Sequence, residues 1–359
     1  MPALELTWYG CDLRTGRISE ELAAITAQTL SRKLGAATSA SLDLALAGAP
    51  SEWESATEPG RTMLVAVDTL TSNPLWAGIV LSRGGGTATT VQLGLGSPEG
   101  YLDRRFPGSY SAAMEDASTV MAALAAPIAT QGLPLTFDTT ASGLLIDYLS
   151  IDTDDKSVLS SVQTISAMEG APEWTIDVVW GDASHTMFAL VMRIRPTIGT
   201  TASPQAIFDL PGCISGYTLS ESYEQAKGAN VVQASGGGEG DVRAQSDIYT
   251  ADDMITAGWP RWIYRYSAGS DITDTDQLNA HATQTLSLLR EGSRSWTVSA
   301  AASVAPRLGT DWALGDLVGI EIAPGCSLRH PAGFSTTARA YGWDLNAAGD
   351  EVSPILLEG

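Results

Sequence analysis

RTMLVAVDTLTSNPLWAGIVLSRGGGTATTVQLGLG, residues 61–96, holds three apolar runs separated by turn formers. The runs are 61–68 (RTMLVAVD), 76–82 (WAGIVLS) and 88–95 (ATTVQLGL), each of strand length. Between the second and third, Arg83, three glycines and Thr87 are expected to close a hairpin. Upstream, 4–10 (LELTWYG) reads as a further strand, and 39–47 (SASLDLALA) alternates apolar and polar residues with period two. Residues 12–17 (DLRTGR) form a turn in which Gly16 takes the awkward dihedral. Residues 1–100 are therefore expected to make a small antiparallel β domain.

Composition shifts after Tyr101. Residues 111–126 (SAAMEDASTVMAALAA) are rich in Ala and Met and predict a helix with Ser109 or Ser111 as its cap, ended by Pro127 and 132–134 (GLP). In 157–168, Val158, Leu159, Val162, Ile165 and Met168 fall on one helical face, with the acids at 152–155 before its positive end. Two strands of similar length follow at 173–180 and 186–194. Residues 101–206 are thus expected to be an α+β insertion.

From Ile207 the strand signal returns at 216–223, 229–234, 242–249, 294–304, 317–322 and 335–345. One helix interrupts it, capped by 271–274 (DITD), carrying Leu278, Ala282, Leu286 and Leu289, and ended near Gly292. The predicted fold is mainly β, with two β domains (1–100 and 207–359) flanking the mixed middle. No repeat of 20–50 residues points to a solenoid or propeller.

The 359 residues carry 41 acids and 20 bases, a net charge of −21, and each third of the chain is negative. No basic face is visible, which argues against gripping nucleic acid through its phosphates. With 17% charged and 44% apolar residues the balance is globular. Cys11, Cys213 and Cys326 are an odd number without CxxC spacing, so buried free thiols are expected rather than disulfides or structural zinc. The N-terminus has no basic and apolar leader pattern, and the longest apolar stretch, 121–129, contains Pro127 and is too short to span a bilayer. A soluble protein made in a cytoplasm is expected.

Little in the chain reads as catalytic. His185, His281 and His330 lie in a predicted turn, a helix and a loop, without HxH or HExxH spacing. Residues 212–216 (GCISG) place the serine one position too late for a nucleophile elbow. The glycine runs at 84–86 and 236–240 lack the Lys-Ser/Thr ending of a phosphate loop and read as hairpin tips. The acidic runs lack the sixth-position Gly and twelfth-position acid of a calcium loop and read as helix caps. No cofactor or metal is expected. Two alternatives stay open: a carboxylate pair for glycoside hydrolysis, since 41 acids leave many pairings, and a carbohydrate platform at Trp259 and Trp262. The other tryptophans sit mostly in strand-like runs, where core packing is expected.

Three sets of residues together carry a resemblance. The first is WYGCDLRTGRI (8–18) with GRTMLV (60–65) and PLWAGIV (74–80). The second is ANVV (229–232) with GGGEG (236–240) and WPR (259–261), and the third is LGDLVGI (314–320) with AYGWDL (340–345). In order and spacing the chain resembles the minor tail proteins of long-tailed phages infecting actinobacteria, the tail-tip or baseplate-hub family. The resemblance implies two tail-tube-like β-barrel domains per chain, and a homotrimeric ring that closes the tail tube and lets DNA pass through a non-adhesive acidic channel. The implied partners are the tail tube or distal tail protein, other tail-tip proteins and the tape measure protein, and the implied location is the virion's tail tip. On this reading no enzyme activity is expected and Trp76, Gly78, Gly315, Asp316 and Trp343 are structural. The two tryptophans would anchor barrel strands, and the Gly-Asp pair would turn the chain into a strand. Many relatives carry a long C-terminal wall-degrading or receptor-binding extension; on this reading any such activity is expected on a neighbouring protein.

Overall fold

The computed structural model describes residues 4–130, 132–168, 170–238, 243–268 and 274–358. The 61–96 stretch forms three strands, Thr62–Asp68, Pro74–Gly84 and Thr90–Gly96, paired antiparallel in succession. They centre a seven-stranded sheet in the order Ile18–Glu21, Leu6–Asp12, Thr62–Asp68, Pro74–Gly84, Thr90–Gly96, Ser39–Ala45, Ile25–Ala27. Ser39–Ala45 keeps its alternation, with Ala40, Leu42 and Leu44 buried. Thr62–Asp68 is buried at every residue, as a central strand covered on both faces must be.

One face of this sheet presents Met63, Val65, Val67, Ala77 and Ile79 to the middle of the chain. There the helices Ala117–Ala125 and Val158–Ser166 contribute Val120, Met121, Leu124, Val162 and Ile165, all essentially inaccessible. Each such side chain contributes about 1.5–3 kcal/mol of apolar burial. Strands Glu173–Trp180 and Phe188–Arg195 pair antiparallel, and Leu135–Thr139 adds in parallel. The α+β middle therefore shares one core with the first sheet.

Two local expectations need correction. Residues 110–116 are a strand, paired with Leu145–Ser150, and the helix begins only at Ala117 with Asp116 as N-cap, its carboxylate accepting from Ser118 N. Long-range pairing there overrides the helical propensity of Ala and Met. The second helix is capped by Ser157, which accepts from Ser160 N, while the acids at 152–155 sit in a separate short turn.

The second large sheet runs Ala206–Leu210, Leu317–Ile322, Phe334–Asn346, Glu351–Leu357, Ser293–Ala301, Ile214–Ser222. Leu30–Lys33, from the beginning of the chain, also pairs with Phe334–Asn346, placing Arg32 opposite Trp343. A second tie is the ion pair Arg307–Asp68 at 2.8 Å, with Asp68 2% and Arg307 16% exposed. Burial pushes the Asp68 carboxyl up, but hydrogen bonds from Arg307 and Leu70 N outweigh it and hold the group below its usual range. A carboxyl depressed in the folded state contributes stability that is complete above its unfolded value and lost as pH falls through the folded one. Asp68→Asn is expected to cost about 3 kcal/mol at pH 7, because it strands a mostly buried guanidinium. Between about pH 5 and pH 2 its unfolding free energy should also fall less steeply than the parent's, which denaturant melts across that range will read.

By contact the chain forms two compact units, one of residues 1–217 and 297–357 and the other of Thr218–Trp296 with Glu358. The second unit has a three-stranded sheet, Tyr249–Thr250, Val231–Ser235, Ile263–Ser267, with helix Thr275–Leu289 against it. Ala229, Val232 and Ala234 meet Leu278 and Ala282 in a small core. Asp274 caps the helix by accepting from Asp276 N and Gln277 N; the rest of the expected cap, 271–273, lies outside the described residues. Of the expected strand at 242–249, the structure shows a bridge at Gln245 and the pair Tyr249–Thr250, Val242 lying outside the described residues.

Candidate functional site

Trp76 is 1% exposed in strand Pro74–Gly84, its ring edge-on to Trp8 at 6.2 Å. Its indole N–H donates to Ser31 O at 3.2 Å, so it also holds the chain that becomes strand Leu30–Lys33. Gly78 provides the space for that ring: a Cβ there would stand 2.2 Å from the far edge of the indole. Trp343 is likewise buried, in Phe334–Asn346 opposite Arg32 and Pro354.

Gly315 and Asp316 form a clasp with residues 198–200. Gly315 has φ +91°, and a Cβ on it would meet Ile198 O at 2.3 Å; Gly199 faces it, also with positive φ. Only glycine combines that dihedral with so close an approach of two backbones. Asp316, 8% exposed, accepts from Thr200 N at 2.7 Å and Ala313 N at 2.8 Å, and Leu317 N donates to Thr200 O. The clasp is locked by Arg339, which forms a bidentate pair with Glu173 and donates to Gly315 O and Ile198 O. Glu173 in turn accepts from Ile198 N.

Trp259 and Trp262 are 45% and 49% exposed. Both touch Tyr223, with ring centroids 5.4 and 5.8 Å away. The loop carrying them is pinned by the inaccessible Asn230, whose side chain donates to Pro260 O and accepts from Trp262 N. The structure thus gathers this pair around one aromatic ring, while Trp76, Gly78, Gly315, Asp316 and Trp343 lie within packed strands and turns.

Sequence reasoning missed the polar groups that support these positions. Glu99 is 3% exposed and accepts from Ile176 N. Burial pushes its carboxyl up, opposed by the charge of Arg32 and by hydrogen bonds from Ser97 and Ile176. Arg32 also donates to Thr175, Ile176 O and Asp177. The only signal for this network was an acid in an otherwise apolar surrounding at 98–102.

Cys11 and Cys213 are buried, but Cys326 is exposed, which corrects that expectation for one thiol. Burial pushes the Cys11 thiol up to about 12. The histidines are far apart in role: His185 stacks on Trp180 at 4.2 Å, His281 lies in helix Thr275–Leu289 and His330 stacks on Phe334. Among the described residues no group of three or more His, Cys, Asp or Glu is placed to hold a metal, and no helix is long and apolar enough to cross a membrane.

No protein-family model matches the sequence, and no curated protein matches it either. Solved structures do. The fold is similar to the 43 kDa tail protein of prophage MuSo2 from Shewanella oneidensis over 99% of this chain and 98% of that one, at TM-score 0.63 and 10% identity. A tail protein from Neisseria meningitidis MC58 is similar over 97% and 96%, at TM-score 0.58 and 13% identity. Prophage tail protein gp18 from Listeria monocytogenes EGD-e is similar over 99% and 94%, at TM-score 0.56 and 9% identity. The chain has the mainly β fold of prophage tail proteins from end to end.

Proposed function

We propose that the protein is a structural component of a phage tail, and within the tail the hub of the tip. The observation that carries this reading is the likeness of fold to tail proteins over nearly the whole chain, at matching lengths. Residues 1–100 and 207–359 are read as the two tube-like β domains and 101–206 as the part between them. Three chains would then present six such domains, and the ring would close the tube of a long-tailed actinobacterial phage. It would dock the tube or distal tail protein, other tip proteins and the tape measure protein, and pass DNA through its centre. Net charge −21 favours a lumen that does not hold the genome. Trp76, Gly78, Gly315, Asp316 and Trp343 serve this role by keeping the sheets rigid, without chemistry of their own.

Light scattering after gel filtration, with negative-stain images of the same peak, tests the reading. A three-fold annulus with a central hole is expected. A monomer that also fails to join isolated tail tubes counts against it, and clearing of cell-wall suspensions by the purified protein would make a hydrolase the better account. A second reading, attachment to host-surface carbohydrate, is favoured by the half-exposed Trp259 and Trp262. Loss of sugar binding in a Trp259→Ala/Trp262→Ala variant would support it.

A further inference from the structure

The outer face of the small sheet gathers polar side chains that neither core uses. In Val231–Ser235, Val232 and Ala234 turn toward helix Thr275–Leu289, so strand alternation turns Gln233 and Ser235 the other way. In Ile263–Ser267, Tyr264 and Tyr266 pack with the helix core, and Arg265 and Ser267 face out. The register sets Gln233 beside Arg265 and Ser235 beside Ser267, and a bridge brings Gln245 against Ser235. With Arg243 these residues line a cleft of about 280 Å³, with Tyr266 in its wall.

Two guanidinium groups in one cleft are unusual in a chain of net charge −21. Arg32, Arg193, Arg195, Arg307 and Arg339 each hold a carboxylate. Among the described residues Arg243 and Arg265 hold none. Arg243 is instead aimed by neutral acceptors, donating from Nε to Gly236 O at 3.1 Å and from a terminal nitrogen to Ser267 Oγ at 3.2 Å. Gln233 donates to Gln245 Oε1 and Ser246 O, which fixes the amide wall.

Guanidinium groups recognise carboxylate and phosphate through paired N–H donors. Side-chain amides and hydroxyls both donate and accept, which matches the hydroxyl groups of a sugar. We infer that this cleft is a binding site for an acidic saccharide, with the anionic group on Arg243 and Arg265 and ring hydroxyls on Gln233, Gln245 and Ser235. The site is separate from the Trp259 and Trp262 platform and stands whether or not the chain forms a hub.

Titration calorimetry on the full-length protein tests it with glucuronate, glucose 6-phosphate, glucose and inorganic phosphate. Saturable binding of one or both charged sugars is expected, at least tenfold tighter than glucose or phosphate alone. The preferred charged sugar tells carboxylate from phosphate. Arg265→Gln and Arg243→Gln should each weaken binding at least tenfold, and Gln245→Glu should abolish it by placing a carboxylate beside the anion. Circular dichroism checks that these surface variants are folded, and Trp259→Ala/Trp262→Ala should bind as the parent does. No binding of either charged sugar overturns the inference. Equal affinity for inorganic phosphate overturns the saccharide assignment. Binding lost in the tryptophan variant but kept in Arg265→Gln moves the site to the aromatic platform.

Discussion

Trp76→Ala is expected to cost about 3–5 kcal/mol, the usual range for emptying a large aromatic from a packed core. The residue is 1% exposed, so nearly all its area is lost from the interior, and the edge-on contact with Trp8 goes with it. Its indole also holds Ser31 O, so the cavity opens beneath the strand that joins the second sheet. In a unit of this size such a loss lowers the melting temperature by about 10 °C, readable by calorimetry. Trp76→Phe keeps most of the ring and gives up the hydrogen bond, and should cost far less. A Trp76→Ala protein that is soluble, melts like the parent and still assembles would remove the anchoring role from this residue.

Gly315→Ala is the second large effect. A methyl group there must accept both φ +91° and a contact of 2.3 Å with Ile198 O. Neither can relax cheaply, because the opposing atoms are backbone held by Arg339 and Glu173. Strain of about 1–3 kcal/mol for the dihedral and a similar amount for the overlap add to roughly 3–5 kcal/mol. Denaturant melts check the value. Gly60 is the control: its φ is also positive, but nothing stands within 4 Å of its missing Cβ, so Gly60→Ala should show the dihedral strain alone. If the two substitutions cost the same, the close approach at Ile198 contributes nothing.

The hairpins around 61–96 were legible because each strand repeats apolar residues over a full strand length and the turns between them are marked by Gly, Asn and Pro. The strand at 110–116 was not, since its Ala and Met favour a helix and only the distant partner 145–150 makes it extended. Glu351–Leu357 was missed for a related reason: Pro354 argues against a strand, yet here it sits opposite Trp343 within the ladder. Among the site residues, LGDL at 314–317 showed a turn, but its partner segment 198–200 and its lock, Glu173 with Arg339, are brought in from far along the chain. Arg243 and Arg265 likewise become neighbours only through the parallel pairing of Val231–Ser235 with Ile263–Ser267. Patterns within one element can be read directly; those that need two elements in register cannot.

Leu30–Lys33 pairs with residues about 310 positions later, from Gly342 opposite Lys33 to Leu345 opposite Leu30. On a ribosome this segment is made long before its partner and must wait, extended or loosely held through Trp76, until residues 342–345 have emerged. Completion of that ladder is therefore a late event in biogenesis, and contacts of such sequence separation form slowly. It also makes these two distant segments inseparable. A C-terminal fragment begun after residue 38 would expose the backbone of 342–345 along an unprotected margin, open to capture by a strand from another molecule.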